Sequence, residues 1–260
     1  MGGRGSSSGG RGIGNLMFGN APIGVGGALF GTPQAVTPPQ VQNGQPVPAI
    51  TIQQLQSMND QEFANYMIGL KSTPIDKNTY YNNDWDTQRL VANMPELNKA
   101  PQIADPATFS SLPGDTIYRT VNAKGVDSAI DICARTMTSD VTTIGEGRMG
   151  DGFYFHISKS SSQTFYGNTR NNIQKTATMS AKLNSNAKVI SEDRLQAMLS
   201  RESPTLRSAV RGMSSGGQWS GSGYIAYALY KGYNVVSDGR IYNIIDRSAA
   251  TWSGGLEAMS

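Results

Sequence analysis

The sequence predicts an α+β chain, on three observations. Apolar residues recur at helical spacing between Thr51 and Met94, and Thr116-Ile-Tyr-Arg-Thr-Val121 alternates as a strand does. Asp238-Gly239 separates two alternating apolar runs, the pattern of a β-hairpin. The chain divides into a Gly/Pro-rich tail (residues 1–50), a small helical section (51–104) and a mixed domain (105–260).

Residues 1–50 hold nearly half of the glycines, half of the prolines, no acid, and only Arg4 and Arg11 as charges. Such a segment buries too little apolar surface to offset its ordering entropy and reads as a flexible tether. Leu16, Met17, Phe18, Leu29 and Phe30 are unusually apolar for a linker, so a docking arm is the second reading. In the helical section Thr51 caps a first helix. Asp60 is expected to cap the next, which carries Phe63, Met67 and Leu70 inward and ends at Pro74. A further helix, Asp84 to Met94, turns Trp85, Leu90 and Val91 inward and stops at Pro95.

The mixed domain opens with a short helix over Pro106–Leu112, a Pro113-Gly114-Asp115 turn and the strand to Val121. Gly125–Thr136 follows as a helix with Val126, Ile130, Ile132 and Cys133 inward, Cys133 being a small buried hydrophobe rather than a nucleophile. Gly145–Gly167 then combines a glycine-rich turn, the aromatic strand Phe153-Tyr154-Phe155, a Ser/Lys turn and a helix start with Phe165 and Tyr166. On residue types alone it is either a ligand cradle with flat aromatic faces or a hairpin turn before a core strand. Gly167–Thr176 is read as a loop, Ala187–Ile190 as a strand, and Ser191 as the cap of a helix with Glu192 and Asp193 at its positive end and Leu195, Met198 and Leu199 inside. The Gly/Ser-rich stretch Gly212–Gly223 is expected to be mobile. Tyr224–Lys231 is a helix, and the hairpin Tyr233–Val236 and Ile241–Ser248 follows.

Bulk properties narrow the function. A chain of 260 residues with net charge +3 does not announce a nucleic-acid binder, and one His and one Cys argue against a zinc site or an internal disulfide. No apolar run approaches a membrane span, and MGGRGSSSGGRG lacks the apolar core of a signal peptide. Gly145-Glu-Gly147 with Gly150 opens a strand rather than a helix, so it is no dinucleotide-binding fingerprint, and there is no Walker motif.

Over residues 105–252 the chain resembles the ADP-ribosyltransferase family. Tyr118-Arg119-Thr120 is similar to the aromatic-Arg-small first strand of its arginine-type members. Gly150-Asp-Gly152-Phe-Tyr154-Phe, with Ser162 and Phe165 beyond, is similar to the second motif, and Asp246 on the last hairpin strand to the third, where many members carry glutamate. The passage from Ala187 to Leu195 resembles phage-encoded members. The resemblance implies a split pair of mostly antiparallel sheets with surrounding helices and an NAD cleft between them. It implies cleavage of the nicotinamide–ribose bond of NAD, with Asp246 stabilising the oxocarbenium-like carbon. Arg119 would grip the phosphates, Phe165 and Tyr154 would sandwich the nicotinamide, and Ser162 would bond its amide or support the strand; Thr120 and Gly152 complete the NAD-binding set. No metal is required. Ile244, two residues before Asp246, counts against arginine as the acceptor. The implied acceptor is a host protein or nucleic acid, with virion proteins as partners of the tail and no membrane. The implied setting is the host bacterial cytoplasm, with or without packaging in the particle. An NAD glycohydrolase and a non-catalytic virion scaffold are the alternatives.

Overall fold

A computed structural model describes residues 47–74, 85–138, 144, 145, 147–167, 175–213 and 221–259. The predicted tether up to residue 46, the loop at 168–174 and most of the Gly/Ser-rich stretch (214–220) lie outside them.

The first helices begin as their sequence dictates. In α1 (Ile52–Ser57) the Thr51 hydroxyl accepts from the Gln54 N–H while the Gln54 side chain accepts from the Thr51 N–H. In α2 (Asp60–Ser72) the same reciprocal pair is formed by Asn59 and Glu62. The cap is therefore Asn59 and not Asp60, because the box needs an acid or amide three residues after the cap, and Glu62 has that spacing only from Asn59. Asp60 does something else. Its carboxylate accepts from the Tyr230 hydroxyl (2.6 Å) and lies 3.4 Å from Lys231 Nζ, joining α2 to α9 (Ser222–Tyr230).

The helical section is not a separate body. Leu55, Phe63, Met67, Leu70 and, on α3 (Trp85–Asn93), Leu90 share one buried cluster with residues far along the chain. Those partners are Leu195 and Leu199 of α7 (Glu192–Arg201), Leu206 of α8 (Pro204–Gly212), and Tyr227 and Leu229 of α9. Phe63 stacks on Tyr230 with centroids 4.1 Å apart and planes 6° from parallel. The Asp60 contact has a pH signature. The Tyr230 hydroxyl, helped by Lys231, holds the Asp60 carboxyl below its ordinary value of 3.8. A lowered native pKa means a contribution fully present above pH 3.8 and lost as the pH falls through the native value. The difference in unfolding midpoint between the parent and Asp60→Asn should accordingly be constant near neutrality and shrink only in acid; a gap that persists at the lowest pH would refute the role.

Among the described residues nine strands form a mixed sheet, in the order β1-β8-β4-β2-β3-β7-β6-β5 with β9 also on β4. They are β1 (Gln102–Ala104), β2 (Ile117–Ala123), β3 (Phe153–His156), β4 (Lys175–Leu183), β5 (Val189–Ser191), β6 (Val235–Ser237), β7 (Ile241–Ile244), β8 (Ala250–Ser253) and β9 (Glu257–Met259). β1 with β8 and β5 with β6 are parallel, and the other pairs are antiparallel. β2 and β4 pair along seven residues, whereas β2 and β3 share the single pair Tyr118↔His156. The sheet is thus two blocks, β1-β8-β4-β2 with β9 and β3-β7-β6-β5, held by one rung. Beyond that rung the glycine-rich turn runs beside β3: Gly145 and Gly152 exchange both backbone hydrogen bonds, at 2.8 and 3.0 Å.

Helix α5 (Val126–Thr136) covers one face. It buries Ala129 and Cys133 against Phe153, Phe155, Met179 and Trp252, and leaves Val126, Ile130 and Ile132 half-buried, so its inward stripe is narrower than expected. Burial pushes the Cys133 thiol up to about 12, the property of a packed side chain and not of a nucleophile. Trp252 sets its edge on Phe153 (5.7 Å, 70°) and Phe155 (5.2 Å, 68°). The expected strand to Ser248 stops at Ile244. The backbone N–H groups of Ile245 and Asp246 turn to the Asn234 carbonyl, and residues 247–249 make a 3₁₀ turn. Among the described residues no helix is long and apolar enough to cross a membrane.

Candidate functional site

The candidate site is where β2 and β3 part. A strand sends successive side chains to opposite faces, so Tyr118-Arg119-Thr120 presents two surfaces. Thr120 faces helix α6 (Lys159–Gly167). Its N–H, past the last rung to β3, donates to the Ser162 hydroxyl at 2.8 Å, and Ser162 is fully buried. Its own hydroxyl meets Thr178 on β4 at 3.0 Å. The serine and the first-motif strand, 42 residues apart in sequence, therefore meet directly.

Arg119 faces the other way, toward α5. It is 8 % exposed, and its guanidinium carbon lies 5.7 Å from the Phe153 ring centroid. Arg247 lies over the same ring at 5.0 Å and donates to the Thr136 carbonyl at 3.3 Å. Two cations bracketing one buried ring join β2 to the turn that carries Asp246.

The glycine-rich turn is shaped by close approach. A Cβ on Gly152 would stand 2.0 Å from Asn243 Oδ1, and one on Gly147 2.4 Å from the Tyr154 hydroxyl oxygen. Both positions admit only glycine while those side chains stay where they are. Tyr154 is buried beneath this turn, its hydroxyl donating to the Gly150 carbonyl, so its ring is not offered to solvent. Phe165 is 63 % exposed and leans on His156 with centroids 5.4 Å apart. Burial keeps the imidazole below its ordinary pKa, against the opposing pull of Asp238.

No family model, no curated protein and no solved structure matches the chain. What the site can do is judged from its own geometry.

Asp246 caps the 3₁₀ turn, accepting from the Ser248 N–H (2.9 Å) and hydroxyl (2.8 Å). Ile244 pairs with Phe153 at the start of β3, so Asp246 lies beyond that end, while Phe165 sits at the other end on His156. About 10 Å of strand separates them. The structure joins Thr120 with Ser162, groups Gly152 with Tyr154 under one turn, sets Arg119 beside Arg247, and leaves Asp246 and Phe165 at opposite ends of β3.

One cluster has no signature in the sequence. Glu192, read as a helix-end charge, has a side chain only 4 % exposed and pairs with Arg148 Nη2 at 2.9 Å. The same nitrogen reaches Asp238 at 3.0 Å, and Gln196 donates to Glu192 at 2.9 Å. Burial raises the Glu192 carboxyl above its usual value against the pull of Arg148. Arg148 sits within the glycine-rich turn, so the cluster ties that turn to α7 and the β6–β7 turn. The only sequence signal was an arginine among glycines, which says nothing of its partners.

Proposed function

We propose that the chain is a phage-encoded mono-ADP-ribosyltransferase that takes NAD as substrate and transfers ADP-ribose to a host protein or nucleic acid in the bacterial cytoplasm. The observation that carries the reading is the buried hydrogen bond from the Thr120 N–H to Ser162 at the place where the two sheet blocks part. It supports the reading because the residues nominated for two separate motifs are neighbours, beside the single rung that joins the two sheet blocks. Arg119, nominated for the phosphates, offers the fixed fork of donors that a phosphate accepts, but it lies on the opposite face of β2 from Ser162, buried beside Phe153, so its role is read by substitution. Phe165, standing out on α6 three residues beyond Ser162, offers a ring face for a planar group. Asp246 is the acid the resemblance nominates, and because β3 separates it from Phe165, its role is settled by substitution.

Incubating the protein with labelled NAD and a bacterial lysate, while following nicotinamide release, tests the reading. Label on a macromolecule together with free nicotinamide is the expected result; nicotinamide without label makes the protein a glycohydrolase, and neither product makes it a scaffold. Phe165→Ala supplies a sharper arm. The ring is mostly in solvent, so the unfolding midpoint should hardly move. Loss of its stacking should weaken NAD binding by about 1 kcal/mol, and Phe165→Tyr should retain it. A large fall in the midpoint with unchanged affinity would make Phe165 a packing residue.

A further inference from the structure

Between α2 and α8 runs an open groove of about 600 Å³. Met67, Ala209 and Met213 make its buried floor, and Ile68, Pro204 and Ser208 its exposed walls. Its cation, Lys71, is held 2.6 Å from Asp86, so the groove presents an apolar floor with little net charge. The chain enters the described fold beside it. The Val47 N–H donates to Thr73 Oγ1 at 3.4 Å, one residue past Ser72 on the groove's rim. Upstream of Val47 lie 46 residues of this same chain, and those from Ile13 to Pro46 carry no charge. Within them Ala28-Leu29-Phe30 is an apolar cluster flanked by Gly26, Gly27 and Gly31.

We propose that the groove is the docking site of the chain's own segment around Leu29-Phe30. The argument is one of reach and chemistry. The sixteen residues Gly31–Pro46, four of them proline, reach up to about 50 Å when extended, enough to bring Phe30 back from Val47 to α2 and α8. Tethering holds the segment at an effective concentration in the millimolar range, so modest apolar contact suffices to keep it bound. An uncharged apolar segment with glycine on both sides suits a groove whose one ammonium is already paired and whose walls are Ile68, Pro204 and Ser208. The segment read from sequence as an arm for a foreign partner is, on this inference, stored on the protein itself.

The full chain tests this directly, because its one native cysteine, Cys133, is buried and does not compete in cross-linking. Gly31→Cys is combined with Ser208→Cys in the groove wall or, as a control, with Ser111→Cys, an exposed position on α4 (Pro106–Ser111). Under mild oxidation the Ser208 pair should close an intramolecular disulfide at least about tenfold faster than the Ser111 pair. Adding Leu29→Ser and Phe30→Ser should bring the Ser208 rate down to the control. Equal rates at the two positions, or a Ser208 rate untouched by the serine substitutions, overturns the proposal. Disulfide-linked dimers in place of the intramolecular product also overturn it, and assign the groove to a second copy.

Discussion

On the proposed transferase reading, Asp246→Asn is expected to bind NAD nearly as the parent does and to release nicotinamide about 10²–10³-fold more slowly. The asparagine oxygen can still accept from the Ser248 N–H that now holds Asp246, so the 3₁₀ turn and the fold should survive. What is lost is the negative charge that would face the electron-poor ribose carbon as nicotinamide departs. Asp246→Glu places there the residue that many ADP-ribosyltransferases carry, and on the same reading should keep measurable turnover. Isothermal titration for binding and a nicotinamide-release assay for turnover separate the two effects. Turnover equal to the parent's would remove Asp246 from the chemistry. The next acid to replace would be Asp238, whose charge is felt by the imidazole on which Phe165 leans. Glu257, the acid that follows the hairpin in sequence, is 62 % exposed on β9 and paired with Lys159, a poorer place for a catalytic carboxylate.

Phe63→Ala should cost about 3–5 kcal/mol and lower the midpoint of one cooperative transition for the whole protein. Phe63 is fully buried, stacked on Tyr230 and set in the cluster that α2 shares with α8 and α9. Its removal opens a cavity between the early helices and the later part of the chain. Differential scanning calorimetry gives the readout. Two transitions, of which only one moves, would show that residues 51–104 fold as a unit of their own. Phe63→Leu, which fills most of the space, should recover much of the loss.

What the sequence made legible follows from which interactions are local. The N-terminal helices were readable from apolar spacing and capping residues, and the hairpin from Asp238-Gly239, because each is decided within a few residues. Strand β4 was not read, although Thr176, Thr178 and Ser180 alternate with Ala177, Met179 and Ala181. Alanine is too small to register as an apolar stripe, yet it is what the close face beneath α5 admits. β1 and β8 escaped for another reason: Gln102 pairs with Thr251, and nothing in three residues announces a partner so far away. In the site, the Ser/Lys stretch reads as a turn before a helix start at Phe165, whereas the helix begins at Lys159 and carries Ser162 within it, where it meets Thr120. Arg119 and Thr120, named together for the site, lie on opposite faces of β2, because neighbours in a strand cannot share a face. The buried Glu192 was out of reach, since its environment is assembled from Arg148, Gln196 and Asp238 on three different elements.

The pairing of β1 with β8 sets the order in which this chain can be finished. At residues 102–104 the ribosome has delivered β1, but its neighbour among the described strands is residues 250–253. β4 likewise waits for β8 and β9 along one edge. During synthesis the first block therefore holds unpaired backbone until the hairpin, the 3₁₀ turn and β8 have all emerged. Contacts of such separation are slow to close. A nascent chain stalled before Ala250 carries open strand edges on both β1 and β4, the surfaces on which unfinished chains associate with one another.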